Sequence, residues 1–152
     1  MRGMSLEHFI ERWTLPDYPP TLVEEHALVK AEISLNAQFP AEYRSAVLRC
    51  GLPHPTAALL ESIVENELSI ADLNDFFDPI EMIEVNHDWR AMGLPAELVA
   101  FANDCMGNLF CFSAAATYVS PIFYFSHDEG SVDEVAASFT MWIKELADVP
   151  AI

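Results

Sequence analysis

The chain has 152 residues, a common size for one domain and long enough to bury a hydrophobic core. Hydrophobic residues make up 52% and charged residues 20% of the chain, which excludes a largely disordered protein. The formal net charge of −17 disfavours binding to nucleic acid or to an anionic membrane and favours a basic protein partner. A strongly negative charge can also do no more than keep a protein soluble, and composition does not choose between partner binding and solubility.

The cysteines Cys50, Cys105 and Cys111 are odd in number and widely spaced, which is unlike a disulfide framework or a zinc site. Buried thiols in a reducing compartment are the simpler interpretation. The N-terminal residues are interrupted by charge, and no segment reaches the ~20 apolar residues of a membrane helix. These features predict a cytoplasmic protein.

Apolar residues near the start of the chain repeat at helical spacing and predict an amphipathic helix over residues 5–13, with Ser5 as its N-cap. Three prolines in residues 15–20 then break the helix. The sequence therefore predicts an N-terminal helix and linker over residues 1–20 and one domain over 21–152. Packing of this helix on the domain is favoured over packing on a partner, but both remain open.

Two segments have the pattern of a capping box, in which a Thr or Ser is followed three residues later by Glu. Thr21–Glu24 predicts a helix that runs to about Asn36. Ser131–Glu134 predicts the start of the closing helix. The apolar stripe of that closing helix is Val135, Phe139, Ile143 and Leu146.

Proline and glycine delimit two further helices. Pro40 opens a helix that Gly51 ends, and Asp78, as an N-cap before a proline, begins a helix that runs to about Met92. Residues 57–64 fit a strand and a helix equally well on their apolar spacing. Residues 68–77 are ambiguous in the same way.

Residues 93–112 are the segment around which the chain is organised. Pro95 predicts the start of a helix, and turn-forming residues follow at positions 103–108. Leu109–Phe112 is a short apolar run typical of a buried strand. Pro121–Phe125 is rich in aromatic and β-branched residues, and we expect it to form an antiparallel hairpin with Leu109–Phe112.

This segment resembles the signature of the SUKH superfamily, which is named for yeast cell-wall-assembly regulators and is abundant among bacterial immunity proteins. The residues that fill the pattern are Leu94, Pro95, Phe101, Ala102, Asp104, Gly107, Asn108, Phe110 and Phe112. The resemblance extends over residues 22–147. It implies an α+β fold of one domain, with a small, mostly antiparallel sheet packed by several helices. It also favours a strand over a helix for residues 57–64, because it places part of the sheet after the turn that precedes them. It also implies a non-enzymatic protein that binds and neutralises a toxin, often a nuclease.

The interval between Arg49 and Arg90 contains no Lys or Arg at all. Its acidic residues are Glu61, Glu65, Glu67, Asp72, Asp75, Asp78, Glu81, Glu84 and Asp88. This run is either a solvated surface or a negative face for a basic partner.

Spacing selects the residues of this run that would bind a partner. Glu81, Glu84 and Asp88 share one face of the predicted helix, because residues three and four apart are neighbours on a helix. We therefore expect these three carboxylates to carry binding of a basic, toxin-like protein, with Asp72 and Asp75 in support.

Residue patterns for catalysis are missing from the sequence. The five histidines have no metal-ligand spacing, and no Gly-rich phosphate loop or Gly-x-Ser-x-Gly elbow is present. Asp104 and Asn108 lack the rest of a calcium loop and are expected to form turn hydrogen bonds. We predict no catalytic residue, metal or cofactor.

Two alternatives to an immunity protein remain. One is a regulatory or scaffold module that uses an exposed N-terminal segment, Trp13–Pro20, as its contact. The less favoured one is a hydrolase that uses carboxylates near His127.

Overall fold

The computed structural model describes residues 2–115 and 118–152. Within them, six helices and five strands follow in the order α1 (Arg2–Trp13), α2 (Glu25–Leu35), α3 (Ala41–Cys50), α4 (Ala57–Glu65), β1 (Asp75–Phe76), α5 (Pro79–Ala91), β2 (Leu98–Asn103), β3 (Leu109–Ser113), β4 (Ile122–Ser126), β5 (Ser131–Ala136) and α6 (Phe139–Ala147). The strands form one antiparallel sheet in the order β1-β2-β3-β4-β5. The predicted α+β fold of one small domain is confirmed.

The segment before the β2–β3 turn is a strand, and the helix predicted from Pro95 is wrong. The apolar residues Leu98, Phe101 and Ala102 have helical spacing, but Val99 and Ala100 between them are also fully buried. A short segment that is apolar on both sides fits a central strand covered on both faces. The side chain of Asn86 in α5 fixes this strand through Ala100, whose N–H it accepts at 2.8 Å and whose carbonyl it donates to at 2.9 Å.

Residues 57–64 lie in helix α4, so the preference for a strand there is wrong. Leu59, Ser62 and Ile63 are buried at helical spacing, whereas Val64 is exposed. This one-sided burial is the pattern of an amphipathic helix. In the ambiguous segment 68–77, only Asp75 and Phe76 form a strand, β1.

The first predicted capping box is wrong because its threonine is engaged elsewhere. Thr21 and Leu52 exchange backbone hydrogen bonds of 2.9 and 2.8 Å, and α2 begins only at Glu25. The close approach depends on Gly51, which has a φ of +82° and whose missing Cβ would lie 2.8 Å from the Thr21 carbonyl oxygen. Gly51 ends α3 as predicted.

The second predicted capping box is also wrong, because Ser131–Glu134 belongs to strand β5. β5 pairs with β4 from Ser126–Ser131 to Ile122–Ala136, with a bulge near its end. The closing helix α6 begins later, and its N-cap is Ser138, whose hydroxyl accepts the N–H of Met141 at 3.1 Å. α6 therefore buries only the later part of the predicted stripe, from Phe139 onward.

Helices cover both faces of the sheet. On one face, α6 packs through Trp142 against Phe110 and Phe101, with ring centroids 4.9 and 5.3 Å apart. On the other face, Trp89 of α5 lies 6.2 Å from Phe125 of β4. Phe110 pairs with Tyr124, and Phe125 pairs with Leu109, so the two contacts fall on opposite sides of the pleat.

Helix α1 packs on the domain, as the sequence favoured. Leu6, Phe9 and Trp13 are buried in the common core, and the Trp13 indole N–H donates to the Ala147 carbonyl of α6 at 3.2 Å. The helix begins at Arg2, so Ser5 is inside it and is not its N-cap.

Candidate functional site

A buried carboxylate, that of Asp104, organises the β2–β3 turn. Its Oδ1 accepts the backbone N–H groups of Met106 at 3.0 Å and Asn108 at 2.9 Å. Its Oδ2 accepts the Tyr124 hydroxyl and the side-chain amide of Asn108. Asp104 is only 4% exposed, and these four donors satisfy it. The predicted role of Asp104 and Asn108 in turn hydrogen bonding is confirmed.

The same turn also fixes His127, which the hydrolase alternative singled out. The backbone N–H of His127 donates to Asn108 Oδ1 at 3.1 Å, and its Nε2 lies 3.0 Å from the Met106 carbonyl oxygen. Its Nδ1 lies 3.3 Å from Asp128, and its ring packs against Trp89. Both ring nitrogens thus have contacts, and the contact of Nε2 with Met106 links the β4–β5 turn to the β2–β3 turn.

Two of the predicted binding residues, Glu84 and Asp88, lie together on the outer surface of α5. Both are exposed, and neither has a hydrogen-bond or ion-pair partner among the described residues. They are four residues apart and therefore share one face of the helix. We call this pair the α5 acidic face.

Glu81, the third residue predicted for this face, has a structural role at the start of α5. Its backbone N–H donates to the Asp78 carboxylate at 2.9 Å, and its carboxylate accepts the Asp78 backbone N–H at 3.1 Å. This is a reciprocal capping box. Partial burial raises the pKa of Glu81, and the nearby carboxylates of Asp78 and Asp75 add to the effect.

Asp72 and Asp75, the two supporting residues, lie outside α5 and have partners of their own. Asp72 is 7% exposed and accepts the backbone N–H of Cys105 at 3.2 Å. Asp75, in β1, lies 3.7 Å from His54 Nδ1 and accepts the N–H of Phe76 at 3.0 Å. Of the five predicted residues, the structure therefore leaves only Glu84 and Asp88 as a shared, unpartnered surface.

Most of the few cationic side chains bind acidic side chains or backbone carbonyl groups of the same chain. The Arg44 guanidinium bridges Glu25 and Glu32, and Arg49 and Lys144 also pair with acidic residues. Arg12 and Arg90 donate to backbone carbonyl groups. These cations do not offset the exposed carboxylates, so the surface field is negative.

A second acidic surface lies at β5, and the sequence patterns did not reveal it because Ser131–Glu134 had the pattern of a capping box. β5 is an end strand of the sheet, with β4 as its neighbour. Asp133 and Glu134 are exposed there and have no side-chain partner among the described residues. The β-branched residues Val132 and Val135, separated by two charged residues, gave only a weak signal of an edge strand.

A cavity of about 300 Å³ lies beside this strand, between β5, α6 and residues 69–71. Its wall includes Val135 of β5, Tyr124 of β4 and Trp142 of α6. Glu145 of α6 also lines it and has no partner in the described part of the chain. The cavity is thus largely apolar with a carboxylate at its wall.

The N-terminal contact surface predicted for a regulator is smaller than expected. Trp13 is only 2% exposed, so its predicted exposure is wrong. Its ring is covered because it packs in the core and under the Arg12 guanidinium, 4.8 Å from the ring centroid. In the following segment, Leu15 and Tyr18 are exposed, Tyr18 by 65%.

The thiols have environments that oppose nucleophilic chemistry. Burial raises the pKa of Cys111, and burial together with the Asp72 carboxylate raises the pKa of Cys105. A raised pKa keeps a thiol in its less nucleophilic protonated form. Cys111 is buried as predicted, but Cys105 is exposed, because its turn projects beyond the sheet.

Two further findings concern the described residues. They contain no group of three or more His, Cys, Asp or Glu side chains arranged to hold a metal ion. None of their helices has the length and apolar character needed to span a bilayer.

The fold and surface define a small α+β domain whose exposed polar features include unpartnered carboxylates on α5 and β5. Residues 22–145 match the model of the SMI1/KNR4 family (SUKH-1), and the chain belongs to this family. Its members are generally non-enzymatic modules that bind partner proteins, of the immunity or Smi1/Knr4 type. No curated protein matches the chain significantly.

Proposed function

We propose that this protein is an immunity protein that binds and neutralises a basic toxin, with a nuclease as the favoured toxin class. The observation that carries the proposal is the pair of unpartnered carboxylates on α5, Glu84 and Asp88, on a chain with a net charge of −17. A nuclease binds the phosphate backbone through a basic cleft, and an acidic surface complements such a cleft.

We assign the contact to the α5 acidic face; Glu81, which caps the same helix, lies about one turn before it. Glu84 and Asp88 are available because no cation of the described residues neutralises them. Exposed charges of this kind mainly accelerate association and make it dependent on salt. Asp72 and Asp75 contribute only to the general negative field, because each is already engaged within the domain.

The experiment is affinity capture from source-cell lysate, with a low-salt and then a high-salt wash and mass spectrometry of the eluted proteins. We expect a basic protein that is retained at low salt and released by high salt. The association of the captured basic protein with purified wild type and with the purified Glu84→Lys/Asp88→Lys variant is then followed by stopped-flow fluorescence. The variant should associate at least about tenfold more slowly and lose most of the salt dependence.

A matched control is the Glu11→Lys/Asp17→Lys variant, which makes the same change in net charge at the N-terminal segment. Glu11 and Asp17 are exposed and have no side-chain partner in the described part of the chain. Equal association of both variants and the wild type would remove the α5 acidic face from the proposal. A loss in the control variant alone would instead favour the regulatory module, whose contact includes the exposed Leu15 and Tyr18.

A further inference from the structure

The β5 edge, defined as Ser131–Ala136, has backbone hydrogen-bonding groups that the sheet leaves unused. β5 is paired with β4 on one side, from Ser126–Ser131 to Ile122–Ala136. In an antiparallel strand, alternate residues direct both their N–H and C=O groups toward the same side. Every second residue of β5 therefore directs its backbone groups away from β4, toward the position of a further strand.

The side chains of this edge make it selective. Asp133 and Glu134 are neighbours in the strand, so they project from opposite faces of the sheet. Both are exposed, and neither has a partner among the described residues. Charged residues on an end strand normally prevent unwanted pairing. These two carboxylates oppose an acidic strand, including a second copy of β5, and favour a basic one.

The cavity beside β5 gives the same edge an apolar anchor point. Its volume is about 300 Å³, and Val135 of β5 forms part of its wall together with Tyr124 and Trp142. Glu145 lies at the same cavity without a partner in the described residues. An aromatic or aliphatic side chain can enter the cavity while a neighbouring Lys or Arg meets the carboxylates.

We propose that the β5 edge binds an extended, basic segment of a partner protein as an additional strand, with one apolar side chain of that segment seated in the cavity. The backbone of β5 supplies the ladder of hydrogen bonds, while Asp133, Glu134 and Glu145 select the positive charge. The bulge near the end of β5 limits regular pairing to Ser131–Glu134. This proposal is independent of the α5 acidic face and of whether the partner is a toxin.

The test uses the full chain and a labelled peptide of about nine residues that alternates Lys and Val and has Phe at its central position. Binding is measured by fluorescence anisotropy at low salt. A second peptide has the same side chains and charge but a methyl group on every backbone nitrogen, which removes the donors of a β-ladder. A third peptide has Ala in place of the central Phe.

We expect the first peptide to bind and the methylated peptide to bind at least about tenfold more weakly, because it cannot form the ladder. The Ala peptide should lose about tenfold, because it leaves the cavity unfilled. The Asp133→Lys/Glu134→Lys variant should weaken binding of the first peptide by about tenfold or more. The Glu11→Lys/Asp17→Lys variant has the same change in net charge, lies outside both acidic surfaces and should bind that peptide within about threefold of the wild type.

Hydrogen exchange locates the bound peptide. We expect slower exchange of amide hydrogens within residues 131–136, because those directed away from β4 become donors to the peptide. Any one of three results would overturn the proposal: no binding of the first peptide, equal binding of the methylated peptide, or protection confined to α5. A protein that is already dimeric through β5 without peptide would overturn it as well.

The Asp133→Lys/Glu134→Lys variant alters only the β5 edge, and the Glu84→Lys/Asp88→Lys variant alters only the α5 acidic face. The edge proposal and the toxin-binding proposal can therefore fail separately. A loss of peptide binding in the β5 variant with unchanged toxin association in the α5 variant supports only the edge proposal. The opposite pattern supports only the α5 acidic face.

Discussion

The β2–β3 turn and the β5 edge use the same chemical group in opposite ways. In the turn, the Asp104 carboxylate is buried and accepts four hydrogen bonds, including one from the Tyr124 hydroxyl of β4. At the edge, the carboxylates of Asp133 and Glu134 are exposed and have no side-chain partner in the described part of the chain. The acidity of the chain is therefore divided between carboxylates that stabilise the fold and carboxylates available to a partner.

This division also separates the predicted binding residues. Glu81 caps a helix, and Asp72 accepts a hydrogen bond from the Cys105 turn, so both resemble Asp104 in having structural partners. Glu84 and Asp88 resemble the β5 carboxylates. Structural carboxylates should affect stability when removed, and unpartnered carboxylates should affect binding and leave stability almost unchanged.

The largest expected effect is that of Asp104→Ala. It leaves the N–H groups of Met106 and Asn108 and the Tyr124 hydroxyl, all part-buried, without their acceptor. We expect the free energy of unfolding to fall by about 3 kcal/mol, measured by urea denaturation. Asp133→Ala is the matched control and should change it by less than about 0.5 kcal/mol. Similar losses in the two variants would contradict the distinction between the regions.

A smaller effect is expected when Gly107 in the same turn is replaced by Ala. Gly107 has a φ of +82°, and a Cβ there would meet nothing closer than His127 Nε2 at 3.8 Å. The cost is therefore that of the left-handed backbone alone, about 1 kcal/mol. The urea midpoint should fall accordingly, with an unchanged slope. A loss as large as that of Asp104→Ala would mean that the turn fails sterically rather than through backbone conformation.

A still smaller effect of opposite sign is expected from Asp133→Asn/Glu134→Gln at the β5 edge. These changes remove like charges from a strongly acidic protein. They remove no hydrogen bond, because neither side chain has a partner among the described residues. We expect a gain of up to about 0.5 kcal/mol at low salt, which disappears at high salt. A loss of stability that persists at high salt would show that these carboxylates have a structural role.

The pH dependence of stability tests the carboxylates of intermediate burial. Burial is the main cause that raises the pKa of Asp75 and of Glu81. A raised folded pKa means that the native state binds protons more readily than the unfolded state. For these two groups, the free energy of unfolding is therefore highest below their ordinary pKa and falls as the pH rises through the raised value.

Asp148 has the opposite dependence, because a hydrogen bond from Lys144 lowers its pKa. Its contribution is present above its ordinary pKa and is lost as the pH falls through the lowered value. We expect Asp75→Asn to reduce the decline in stability as the pH rises above the ordinary Asp pKa of about 4, and Asp148→Asn to leave that decline in place. Denaturation at several pH values measures both slopes. An unchanged slope in Asp75→Asn would contradict the assigned effect of burial.

The sequence correctly predicted features that depend on a few consecutive residues. The N-cap Asp78, the β3–β4 hairpin and the end of α3 at Gly51 are all confirmed. Errors occurred where a local pattern had two interpretations that only tertiary packing separates. Leu98, Phe101 and Ala102 have helical spacing, but burial of the residues between them makes the segment a central strand.

Candidate binding residues were harder to choose from the sequence than the family was. Spacing identified Glu84 and Asp88 as neighbours, but it could not show that Asp72 would be buried beside Cys105. The β5 edge was missed because Ser131–Glu134 satisfied the residue pattern of a capping box, whereas pairing with β4 determines its structure.

The most direct measurement of the central claim is side-by-side capture of partners from one lysate by the wild type, Glu84→Lys/Asp88→Lys and Glu11→Lys/Asp17→Lys proteins. The account expects the wild type and the N-terminal variant to retain the same basic protein, released by high salt, and the α5 variant to lose it. Retention of that protein by all three, or capture of no basic protein by the wild type, would contradict the account.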